Sequence, residues 1–230
     1  MPLARGTVYS NSVSERQAGP GDILASGESL AALATVGAGT WTGAIIAAGI
    51  IRRTGPVGAY VDTTDTAQNI LAALAGNDFA LNVIPGTTFR LLFQNTVAFA
   101  MTFAAGRGVV TGVGTLNGTA SLVREYLMTI LNSTPEVALS SGTTNASAAV
   151  TLDVPQPMGT VTPGMLVTGV GITVGTRVAG VVTGDTVNRK NMDKITGVTL
   201  DQNATATAAS GVQLTFSPVI KIDGLRESTL

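Results

Sequence analysis

The chain has 230 residues, of which 12% are charged and 4% aromatic, with 13 basic and 14 acidic side chains and a formal net charge of −1. So even a balance offers no basic footprint for nucleic acid or an anionic membrane, and neither is expected as a partner. Cysteine and histidine are both absent, which excludes disulfides, thiolate chemistry, imidazole bases, the Ser-His-Asp triad and sites ligated by those residues.

Charged residues are about half as frequent as the usual ~25%. Such a chain has little charge with which to cover a monomer's surface, so composition favours an oligomer or a lattice component over a free enzyme. Residues 1–28 are polar and rich in Gly and Pro, and read as an extended N-terminal arm. From Ser29 to Ile51 no residue is charged, and the run ends at Arg52 and Arg53. Gly37, Gly39, Thr40, Thr42, Gly43 and Gly49 dilute it too far for a membrane span, so it reads as a buried or subunit-packed segment. Within it and at its end, Trp41, Ile45, Ile46, Arg52 and Arg53 are the candidate assembly contacts. The stretch from Trp41 to Ile51 suits a buried strand as well as a helix.

A turn-rich connection through Gly55 and Pro56 leads to the best helix signal in the chain. Thr64 or Asp65 can cap a first turn, Ala67 to Leu74 are good helix formers, and Gly76 can end the element. Phe79 to Ile84 suggests a strand. From Thr88 to Ala105 apolar residues fall at every second position: Phe89, Leu91 and Phe93, then Val97, Phe99, Met101 and Phe103. The polar break at Asn95 and Thr96 predicts a β-hairpin whose Phe face is core. Ala105 to Gly118 is a loop or a glycine-punctuated strand. Ser121 to Leu131 fits a helical face or a strand, and a strand continuing the meander closes the sheet with shorter connections.

Beyond Pro135 to Gly142 short β-branched runs recur at the spacing of an all-β sandwich or barrel. The expected fold is therefore mainly β: two small antiparallel β domains, sandwich or barrel-like, with one short helix in the first. Residues 1–55 form an arm and assembly segment, 56–140 the first β domain and 141–230 the second. One charge-dense loop of the second domain, with Arg189, Lys190, Asp193 and Lys194, is the candidate exposed contact loop.

The glycine-rich spacings at 106–118 and 169–175 match neither a dinucleotide turn nor a phosphate loop. Asp62 and Asp65 read as helix-start residues, and no pair of carboxylates is nominated for hydrolysis. No catalytic residue, cofactor or metal site is expected, and the chain reads as a non-enzyme.

The run Gly49-Ile-Ile-Arg-Arg-Thr-Gly-Pro-Val-Gly-Ala-Tyr60, Asp62-Thr-Thr-Asp-Thr, Pro85-Gly-Thr-Thr-Phe-Arg90, Asn95-Thr and Thr102-Phe-Ala-Ala-Gly106 resembles a domain of virion structural proteins of tailed bacteriophages. Gly164-Met-Leu-Val-Thr-Gly169, Gly171-Ile-Thr-Val-Gly-Thr176, Val198-Thr-Leu200, Ala204-Thr-Ala-Thr207 and Val212-Gln-Leu-Thr-Phe216 are similar to a small β module of phage head and tail proteins. The resemblance implies a capsid decoration (cement) protein located on the virion surface. Its partners would be the major capsid protein and its own copies, as a homotrimer. The alternative it implies is a tail or head fibre component that binds a host glycan.

Overall fold

The computed structural model describes residues 23–24, 29–76, 83–139, 142–184, 194–205, 207–208 and 211–229. The fold is mainly β, with two helices among the described residues. After β1 (Ile23–Leu24) the first half winds through three stacked rungs. The first is β2 (Ser29–Leu33), β3 (Gly39–Trp41) and α1 (Gly43–Ala48); the second is β4 (Gly49–Arg53), β5 (Tyr60–Thr64) and α2 (Ala67–Gly76). The third is β6 (Thr88–Asn95), β7 (Met101–Ala104) and, in place of a helix, a turn leading to β8 (Val109–Thr111). β2, β4 and β6 pair in parallel on one side, and β3, β5 and β7 pair in parallel on a second. The helices stack on the third side. This is a short β-solenoid.

Local chemistry explains the winding. The Thr42 hydroxyl accepts the Ile45 amide to cap α1, and Gly49, at φ 88°, ends it in the left-handed conformation that turns the chain straight into β4. The α2 cap is Thr66, whose hydroxyl accepts the Asn69 amide, one or two residues later than the sequence suggested. Asp65 joins the two helix starts, accepting the Gly43 amide on one oxygen and the Thr66 amide on the other. At the strand turns, the Thr54 amide donates to Leu33 O and the Thr96 amide to Arg53 O, so each turn rests on the one before it. Gly55 is needed there, because a Cβ would lie 2.1 Å from Ala34 O.

The side chains at alternate strand positions fill the solenoid. Ile51, Phe89, Leu91 and Phe93 project from one sheet, Trp41, Tyr60 and Met101 from the other, and Ile46, Ile70, Leu71 and Leu74 from the helices. Trp41 packs at 5.0 Å from Phe93 and 5.6 Å from Phe103 and Tyr126, measured between ring centroids. The far end is closed by β9 (Leu122–Asn132), which runs antiparallel to β6 from Asn95↔Leu122 to Thr88↔Thr129.

From Asn132 the chain leaves the first core and builds a β-sandwich before it returns. Its strands are β10 (Val137–Leu139), β11 (Gly142–Asn145), β12 (Ala149–Pro157), β13 (Leu166–Gly169), β14 (Val178–Thr183), β15 (Lys194–Leu200), β16 (Thr207–Ala208) and β17 (Leu214–Ser217). One sheet has the order β10-β17-β13 and the other β14-β15-β12-β11-β16. Between them lies a second core, with Val150, Val167, Ile195, Val198, Leu214 and Phe216. β18 (Val219–Thr229) then pairs antiparallel with β9 over its whole length and parallel with β8. The sandwich is thus an insertion between two neighbouring strands of the first sheet.

Side chains tie the two units at this crossing. Asn132 Nδ2 donates to Pro163 O and Thr162 Oγ1, at 2.9 and 3.0 Å. Glu136 accepts from Arg107 at 2.6 Å and from Ser217 Oγ at 2.8 Å, and its amide donates to Gln68 Oε1.

Several expectations are corrected here, and the first domain holds two helices, α1 and α2, rather than one. Residues 88–104 are not a hairpin: β6 and β7 belong to different sheets, and the break at 96–100 carries the chain from one to the other. The first half is largely parallel rather than antiparallel. Residues 29–53 form the first rungs of the first domain rather than a separate assembly segment, and residues 219–229 return to that domain rather than ending the second. Phe99 is 37% exposed on the turn, whereas Phe93 is fully buried. Of the strand expected at 79–84 only Val83 and Ile84 are described, and neither is in a strand; of the arm expected over 1–28 only Ile23 and Leu24 are described, and they pair in parallel with β6. The strand at 122–132 is present.

Candidate functional site: the first rung and its buried anchor

At the open end of the solenoid one polar cluster runs through all three rungs. Arg53 and Asp62 face each other from β4 and β5 with side chains 0% exposed, and Arg53 Nε donates to Asp62 Oδ2 at 3.0 Å. The same oxygen accepts Trp41 Nε1–H at 3.0 Å, and Oδ1 accepts the Gly39 amide at 2.9 Å. The rest of the guanidinium gathers the turn at 34–38: Nη1 donates to Leu33 O and Thr35 O, and Nη2 to Gly37 O. Tyr60 lies under the guanidinium, 4.8 Å from its ring centroid, and donates its hydroxyl to Asn95 Oδ1 at 2.9 Å. Asn95 Nδ2 donates onward to Phe99 O and Thr119 O, both at 2.8 Å.

Burial, with the Asp62 charge adding to it and Arg53 opposing, pushes the Tyr60 phenol far above its ordinary range and keeps it a donor. Burial does the same to Tyr126, whose hydroxyl donates to Leu116 O at 2.6 Å. A buried charge pair with its hydrogen bonds filled by backbone and side chains is suited to fixing a geometry. Here it fixes how the first rung sits on the second.

This placement revises the assembly contacts expected from sequence. Trp41, Ile46 and Arg53 are each 0% exposed and serve the interior of the chain's own fold, so they are not available to a partner. Trp41 and Arg53 lie on short strands and Ile46 on the six-residue α1, so the period that would have marked them as inward-facing is interrupted. Ile45 is partly buried against the core at the open end. Arg52 is exposed and donates to Gln94 Oε1 at 3.0 Å. In the contact loop, Arg189, Lys190 and Asp193 lie outside the described residues, while Lys194 is exposed at the start of β15. The sequence reads Asp62 as a helix-start residue and Asn95 as a turn residue and does not single out Tyr60; instead Asp62 lies buried on β5 and Asn95 buried at the end of β6. The signal was an Arg and an Asp at inward positions of two β-branched runs on either side of a turn, with the only tryptophan nearby.

Four large apolar side chains are exposed around the anchor. Val36 (65% exposed), Val57 (73%) and Phe99 stand on the three stacked turns, and Leu30 lies on β2. β2 and β3 are the terminal strands of their sheets at this end. A second exposed pair, Val170 and Val174, stands on the sandwich loop at 170–175. That loop is held to 201–205 by the Thr205 amide donating to Gly171 O. It lies beyond Gly169, the end of β13 remote from the linker, since Leu166 at the other end pairs with Ser217.

Among the described residues no group of three or more acidic side chains is placed to hold a metal ion, and no helix is long and apolar enough to cross a membrane. No protein-family model, curated protein or solved structure matches the chain.

Proposed function

We propose that this chain is a structural, non-catalytic protein of a tailed-bacteriophage virion, binding the outside of the capsid lattice as a homo-oligomer and stabilising it. The observation that carries the reading is the first rung: an uncharged segment from Ser29 to Ile51 that ends both parallel sheets in terminal strands, beside the exposed Val36 and Val57. The edge of β2, which no described strand covers, lies beside these exposed apolar side chains and suits permanent contacts with other subunits. The ties between solenoid and sandwich suit a part that holds its shape under load. The low charge content and the resemblance of the 49–106 and 164–216 stretches to phage virion domains support the same role. Quantitative mass spectrometry of purified particles tests it. A copy number on the scale of the capsid lattice is expected, and only a few copies per particle would overturn a lattice-wide role.

The sandwich loop bearing Val170 and Val174 favours a second reading, a fibre or adhesin component contacting a host glycan. Binding of the whole chain to a glycan array, lost in a Val170→Asp/Val174→Asp variant, would replace the capsid reading.

A further inference from the structure

β2 forms one rim of the large sheet, and its hydrogen-bonding direction can be read from a single contact. The Leu33 carbonyl accepts the Thr54 amide at 3.2 Å, so its backbone groups face β4. The two-residue period of a strand places those of Ala31 and Ser29 on the same side. The amides and carbonyls of Leu30 and Ala32 therefore point out of the sheet, and have no partner among the described residues. Exposed rims are ordinarily guarded by Lys, Pro, a bulge or short length. The opposite rim, β8, is only three residues long. β2 has the sequence Ser-Leu-Ala-Ala-Leu, keeps an unbroken register with β4, and belongs to the uncharged stretch that ends at Ile51.

We propose that β2 pairs antiparallel with β2 of a second copy of this chain about a two-fold axis at Ala31. This pairing rests on the assembly reading above and names the contact through which copies meet. With the axis at Ala31, Leu30 of each copy lies opposite Ala32 of the other. These residues exchange both their bonds, and the outward groups of both strands are filled. Ala31 then meets Ala31 of the second copy at the non-bonded position, where antiparallel strands come closest and a methyl fits. Leu30, 47% exposed, covers the small Ala32 across the seam. A two-fold contact places identical surfaces together, and an uncharged rim raises no like-charge opposition to its own copy. The contact closes at two copies.

Sedimentation equilibrium of the whole chain tests this, together with Ala32→Pro, which removes one outward amide without touching the β4 ladder, and Ala32→Lys, which supplies a guard. The wild type is expected at twice the 23.2 kDa chain mass. Both variants are expected at the chain mass with circular dichroism unchanged. Because the chain has no cysteine, Ala31→Cys provides a single thiol. It should give a covalent dimer on mild oxidation, while Val57→Cys on the exposed turn should not. A wild-type monomer or trimer, a dimer that persists in a folded Ala32→Lys variant, or cross-linking through Cys at 57 and not at 31 would overturn the pairing. A solution monomer present at lattice copy number on particles overturns the pairing and leaves the capsid role. A dimer lacking from particles does the reverse.

Discussion

Removing one half of the buried anchor should unfold the solenoid far more easily while leaving the sandwich alone. In Asp62→Ala, the Arg53 guanidinium keeps its three carbonyl partners but loses its counter-ion in a site with no exposure, and Trp41 Nε1–H and the Gly39 amide lose their acceptor. Breaking a buried pair from one side costs about 3–5 kcal/mol, and stranded donors keep the loss toward the upper half of that range. With a urea dependence of about 2 kcal/mol/M, the midpoint should fall by roughly 2 M. Trp41 is the only tryptophan and lies in the solenoid core, so its fluorescence reports that unit alone. Urea titration followed by this signal is the assay. A midpoint shift below ~0.5 M, or about 1 kcal/mol, would refute the assignment of the pair as the anchor. Arg53→Met/Asp62→Leu removes the unpaired charge but also the grip on Leu33, Thr35 and Gly37 carbonyls. It should recover only part of the loss, leaving a deficit of about 2 kcal/mol.

The two cores are separate clusters, so Phe216→Ala should cost about 3–5 kcal/mol in the sandwich and move the Trp41 transition by clearly less than the sandwich transition. A shift of both transitions together would show that the units unfold as one. Phe93→Ala should likewise cost about 3–5 kcal/mol, whereas Phe99→Ala, on an exposed turn, should cost under about 1 kcal/mol, as read by urea midpoints. Asp223 and Glu227 have ordinary values of 3.8 and 4.5; burial pushes each up, but Lys221 and the Val113 amide outweigh it for Asp223, and Thr119 with Arg124 does so for Glu227. Both folded values lie below the unfolded ones. Their stabilisation is therefore present above the unfolded values and lost as pH falls through the folded ones. The urea midpoint should decline below about pH 4.5, less steeply in Asp223→Asn, and a midpoint rising on acidification would contradict the sign.

The elements legible in the sequence were those whose evidence is local. The helix at 67–76, the inward face of Phe89, Leu91 and Phe93, and the β texture beyond Val137 all follow from periodicity or turn chemistry. Pairing was not legible. Alternation says which side chains share a face and nothing about which strand lies alongside, so β6 and β7, joined by a short polar break, read as a hairpin although they lie in different sheets. The solenoid repeat was hidden because its crossovers differ: α1 leads directly into β4, while α2 is followed by a longer connection before β6. Trp41, Ile46 and Arg53 looked like contact residues for the same reason, since an apolar run without a visible period gives no inside and outside. The polar anchor was invisible because its members come from three rungs that only the fold brings together.

Placing the sandwich between β9 and β18 has a consequence for the order in which the molecule is made. The first rungs precede the insert along the chain, yet the strand that completes their sheet, Val219–Thr229, is synthesised only after it. β18 must find β9 across the whole intervening stretch. The entropy of closing so long a loop is much reduced once the insert has folded and brought Val137 and Ser217 into adjacent strands. The sandwich would then act as an internal splint, its own early collapse setting the pace at which the domain begun before it can be finished.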